Sequence, residues 1–112
     1  MFDPETPATE TITWEQLLMR SNIIGGEAEL TLLRCRYRGL ITGVARDGDS
    51  IAISVAQVEE SCDSVNWYPS KHLGFFFAQS QFLPRLHRTG MLRMIERSRF
   101  GIITIRPRSD QN

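Results

Sequence analysis

Lysine is almost missing from this chain. One lysine, Lys71, stands beside twelve arginines in 112 residues. Histidine is equally scarce, with His72 and His87 the only two. Nucleophilic catalysis needs a base within reach of its nucleophile, and neither histidine lies in a motif that would supply one. There are two cysteines, Cys35 and Cys62, without CxxC spacing. That pattern carries neither a disulfide framework nor a zinc site. Cys35 is expected to point inward as a small hydrophobe, and Cys62 to sit in the polar stretch EESCDS. No GxxxxGK[ST] or GxGxxG motif occurs, so nucleotide use has no support. No apolar run approaches the ~20 residues of a membrane-spanning helix. The opening MFDPETPATET has no basic residue, so neither a signal nor a transit peptide is expected, and a cytoplasmic location is. No enzymatic role, cofactor or membrane partner is expected.

The net charge is zero, but it is unevenly placed. Residues 1–65 hold five arginines against eleven acids, and residues 66–112 hold eight basic residues against two acids. The arginine bias fits recognition of anions by planar guanidinium forks. It fits equally an arginine-rich codon usage, or attraction between the two halves within a fold or between subunits.

Two prolines and small polar residues make 1–11 an expected disordered acidic arm. Thr13 followed by Gln16 has the spacing of a capping box, and Trp14, Leu17 and Leu18 follow helical spacing, so a short helix is expected at about 13–21. EAELTLLRCRYRG then reads as one long strand ending at Gly39. On such a strand Arg34, Arg36 and Arg38 share a face. LITGVAR follows as a second strand, bent at Gly43. Asp47-Gly48-Asp49 is a tight hairpin turn, and SIAISVAQV alternates as a third strand.

Residues 61–90 read as an inserted segment, with FLPRLHRTG as a loop or helical turn. The run Phe75, Phe76, Phe77 is too apolar for a strand exposed on one side; it is buried, or half of it meets a partner. Met91–Glu96 and Phe100–Arg106 form a hairpin, stopped by Pro107. RSDQN is a polar tail. Residues 12–108 thus form a single domain of mainly β class, with a short N-terminal helix and strands that curve at glycines into a small antiparallel barrel.

Arg97 and Arg99 at the tip of the last hairpin are candidate phosphate contacts, and Tyr37, Trp67, Tyr68 and Phe100 are candidate base-stacking aromatics. The competing reading makes Tyr37 and the phenylalanines core, with the arginines paired across strands to Glu29, Glu59 and Glu60.

The segment LLMRSNIIGGEAELTLLRCRYRGLITGVARDGDSIAISVAQVEE, residues 17–60, with FGIITIRP at 100–107, resembles the Sm-like family, which includes the Hfq group. Its turn has no asparagine, and Arg106 is followed by proline rather than glycine. The resemblance implies a helix followed by a strongly bent five-stranded barrel, a homo-oligomeric ring, and binding of single-stranded RNA. It places that RNA at Asp47, Asp49 and Ser50 and at Arg106, beside Arg97, Arg99 and Tyr37. The alternative is a protein–protein assembly module forming a symmetric oligomer without nucleic acid, with Phe75, Phe76 and Phe77 at the interface.

Overall fold

The computed structural model describes residues 9–71, 74–97 and 101–109. Thr13 starts the helix. Its hydroxyl accepts from the Gln16 amide at 3.0 Å, and the Gln16 side chain accepts from the Thr13 amide at 2.8 Å. This reciprocal pair satisfies two amides that a helix start leaves without partners. The helix, α1, spans Trp14–Leu18, shorter than the 13–21 expected. Trp14 and Leu17 are buried, but Leu18 and Met19 face solvent, so no apolar stripe remains to hold a further turn. Trp14 Nε1 donates to the Ser80 carbonyl at 2.7 Å, which pins the helix to the far half of the chain.

The expected long strand through RCRYRG is two strands, β2 (Glu27–Thr31) and β3 (Arg36–Asp47), joined by a tight turn. The reason lies in Leu32-Leu33. Adjacent leucines cannot both face a core from a strand, because successive side chains point to opposite sides. Leu33 is 89% exposed at the turn, where the Leu32 amide donates to the Cys35 carbonyl at 2.9 Å. Arg34 therefore sits in the turn, and only Arg36 and Arg38 share a strand face.

β3 pairs antiparallel with β4 (Ser50–Ser61) through the turn expected at Asp47 to Asp49. Gly48 takes φ +60° there, the left-handed conformation a two-residue hairpin loop demands of its first central residue. Two register shifts bend the pair, one between Arg38 and Leu40 and one between Ile41 and Gly43. Gln57, at φ +54°, is an extra residue of β4 at the first of them.

The segment 61–90 is not an insertion set apart from the sheet. It supplies β5 (Tyr68–Pro69), β6 (Phe75–Gln79) and β7 (Arg85–His87). The expected loop FLPRLHRTG thus contains a strand, because Leu86 packs against the core while its neighbours face outward. β8 (Leu92–Ile95) and β9 (Ile102–Arg106) complete the fold, with β1 (Thr9–Thr11) taking the last three residues of the expected arm. The order is β1-β7-β8-β9-β2-β3-β4-β5, with β6 also paired to β4, and every pairing is antiparallel.

The chain is mainly β, but among the described residues the sheet is not a closed barrel, and it has nine strands rather than five. Strands added beyond β8 and beyond β4 extend it past what five strands would close. A single bridge between Ala78 and Glu96, with the Arg97 amide donating to the Phe77 carbonyl at 2.8 Å, links β6 to the end of β8. Beneath the sheet lies one apolar core, in which Leu17, Ile41, Ile51, Ile53, Phe76, Leu92, Ile103 and Ile105 are almost fully buried. Gly26 closes it at one end. A Cβ there would stand 2.6 Å from the Arg106 carbonyl oxygen, so glycine is required by space.

The expectation of two separate cysteines is corrected. Cys35 and Cys62 form a disulfide with a Cα–Cα distance of 4.2 Å. They lie one position beyond the Arg36–Ser61 pair of the β3–β4 ladder, which sets them opposite one another.

Candidate interaction surface

The arginines of RCRYRG are met by acids on neighbouring strands. Glu29 of β2 is 8% exposed. Its carboxylate accepts from Arg36 Nε at 3.0 Å, and Arg106 Nη1 of β9 approaches at 3.7 Å. Arg106 also stands 3.6 Å from Glu27, directly opposite it on β2. Arg38 Nε donates to Glu59 of β4 at 2.9 Å, and the Arg38 guanidinium lies 3.9 Å from the centre of the Trp67 ring. Tyr37, on the opposite face, donates its hydroxyl to Glu60 at 3.2 Å. Its pKa is raised, first by burial and then by the Glu60 charge and hydrogen bond. The cross-strand reading of these arginines is therefore the one that holds for Arg36 and Arg38.

Asp63 fixes the loop that carries Trp67. Its carboxylate accepts from the backbone amides of Asn66 at 2.8 Å and Val65 at 2.9 Å, and from the Asn66 side chain at 3.0 Å and the Ser61 hydroxyl at 3.1 Å. These donors, the Asn66 amide foremost, hold its pKa at about 2. The carboxylate form that caps this turn is thus retained well into acid.

Glu29 is the centre of this network, and its removal has a measurable cost. Glu29→Ala is expected to destabilise the fold by about 2 kcal/mol. It stays below the value for a fully buried pair because Arg36 and Arg106 are one-third to one-half exposed and regain water. A urea melt of the variant beside the parent reads this directly.

The residues assigned to RNA by sequence fall into separate settings. Ser50 is buried and pairs with Gln79 on one side of β6. The Asp49 carbonyl accepts from the Ser80 hydroxyl at 2.7 Å, while the Asp47 and Asp49 side chains are exposed. Arg97 lies at the other side of β6, its guanidinium 4.7 Å from the Phe77 ring centre. Arg106 and Tyr37 are bound to glutamates as described. Arg99, Phe100 and His72 lie outside the described residues.

The three phenylalanines divide. Phe76 is 1% exposed and belongs to the core, which removes it from the expected interface. Phe75 is 50% exposed and stacks on Phe77, with ring centres 6.0 Å apart. Phe75, Phe77 and Arg97 thus make one outward patch. Among the described residues, the one cluster of metal-type ligands is Cys35, Glu60 and Cys62. With the two sulfurs bonded to each other, neither is the thiolate that binds a metal. No helix among the described residues is long and apolar enough to cross a membrane. Compared with family models, with curated proteins and with solved structures, the chain matches none.

Sequence reasoning missed the outward Ile95 and Ile102, which face each other across β8 and β9. A signal was present. In IITIR the neighbours Ile102 and Ile103 cannot both face inward, so one apolar side chain is left outside.

Proposed function

We propose that this chain is a non-catalytic assembly module that associates with copies of itself through the Phe75–Phe77–Arg97 patch. The observation that carries this reading is the stacked pair itself, with half of Phe75 in water and an arginine laid over Phe77. Aromatic and arginine side chains are enriched among residues that dominate protein interfaces. Such a patch is self-complementary: about a two-fold axis, the arginine of one copy meets the exposed ring of the other.

Single-stranded RNA binding, implied by the Sm-like resemblance, has less support from the geometry. Arg36, Arg38 and Arg106 already face carboxylates, and each would have to leave its acid to meet a phosphate.

Sedimentation equilibrium from micromolar to submillimolar protein tests the proposal. The parent is expected to show a concentration-dependent mass above that of one chain. Phe75→Ser is expected to weaken the association at least tenfold while leaving the circular dichroism unchanged. A monomer across the whole range, or an unchanged association constant in the variant, refutes it.

A further inference from the structure

A second surface feature shares no residue with the Phe75 patch. Arg85 of β7 and Arg93 of β8 are exposed and directly opposite one another in the antiparallel register. Like charges placed so repel, and a sheet ordinarily avoids the arrangement. Neither forms an ion pair with any described residue. Alternation along β7 puts His87 on the same face as Arg85.

These groups border an open groove of about 600 Å³, a size within the ordinary range for small-molecule sites. Its apolar surface comes from Phe82, Leu83, Ile95 and Ile102, each more than a third exposed. Among the described residues, no acidic side chain lines it. An apolar trough with two unneutralised arginines at one side complements one kind of occupant: a small molecule with a hydrocarbon body and a single anionic head. The loop bearing Phe82 is also anchored, because the Trp14 indole and the Asp49 carbonyl both bond Ser80 two residues before it. Such a site is largely preformed, which limits the ordering cost of binding.

We propose that this groove binds an amphipathic carboxylate. The head group accepts hydrogen bonds from Arg85 and Arg93 and removes their mutual repulsion, while the chain covers Ile95, Ile102 and Phe82. The site does not depend on self-association, and the test is made on the Phe75→Ser protein so that the two failures are distinguishable.

Decanoate is titrated into isotope-labelled protein and followed by amide and methyl chemical shifts, with decanol and acetate as controls. The expected result is saturable change at Ile95, Ile102 and Phe82 with decanoate. Decanol, which lacks the charge, binds at least tenfold more weakly, and acetate, which lacks the chain, does not saturate over the same range. Arg93→Gln weakens decanoate at least tenfold yet raises the melting temperature of the ligand-free protein, because it removes the opposed charge. Equal affinity for decanoate and decanol, unchanged decanoate affinity in Arg93→Gln, or shifts confined to other surfaces overturns the proposal. So does failure of decanoate to bind while an acidic peptide saturates the same residues, since the occupant is then a protein segment.

Discussion

Reduction of the Cys35–Cys62 bond is expected to lower the stability of the fold by about 3–4 kcal/mol, the loop-closure value for a separation of this length. The bond joins residues 27 apart in sequence, and opening it releases that loop in the unfolded chain. The native structure loses little in return. Arg36 to Arg38 remain paired with Glu59 to Ser61 on the ladder, and the core below them is untouched. Thermal unfolding with and without a thiol reductant, repeated on Cys35→Ser, is expected to show a fall in Tm of roughly 15 °C. Equal melting of the oxidised and reduced proteins contradicts the bond's role. The result also bears on location. Disulfides persist in oxidising compartments and are reduced in the cytosol, so the bonded pair and the cytoplasmic expectation pull in opposite directions. Thiol alkylation of the protein taken directly from its cells decides between them.

The second large effect separates the members of the phenylalanine run. Phe76→Ala is expected to cost about 3–5 kcal/mol, the range for emptying a buried aromatic position. Phe76 lies opposite Ile53 on β4 and among the most deeply buried side chains. Phe75→Ala, one residue away, is expected to cost about 1 kcal/mol or less, since half of its ring is already in water and only the stacking on Phe77 is lost. Denaturant melts of the two variants compare them directly. A similar loss in both contradicts the inward–outward alternation of β6 on which the assembly patch rests.

Much of the central hairpin was legible from residues alone. The Asp-Gly turn, the alternation of Ile51, Ile53 and Val55, and the Thr13–Gln16 cap are local signals, and the structure carries all three. The disulfide was legible too, but it was hidden by where the strand was ended. Counting outward from Asp47 and Ser50, twelve steps reach Cys35 on one strand and Cys62 on the other. The two bulges do not disturb this count, because one adds a residue to β4 and the other a residue to β3. A strand that ends at Gly39 stops the count short of the cysteines. Gly39 instead lies within β3, where a Cβ would stand 3.0 Å from the Cβ of Val55.

Less could be read where order depends on distant pairing. β7 has three residues and β5 two, too short for a periodicity to declare them. Their strand character comes from β8 and β4 beside them. The same holds for Arg85 and Arg93. Each is an unremarkable basic residue in sequence, and only the β7–β8 register turns them into an opposed pair. For Arg36 and Arg38 the reverse is true. Their strand spacing was visible, but whether they were available to an anion depended on Glu29 and Glu59 arriving from neighbouring strands.

The most direct test of the assembly proposal is the solution mass of the purified chain by light scattering, with absorbance at 260 and 280 nm recorded across the same peak. A mass above that of one chain that rises with concentration, with a protein-only absorbance ratio, is the predicted result. A single-chain mass at every concentration, or an oligomer found only where the absorbance reports bound nucleic acid, contradicts it.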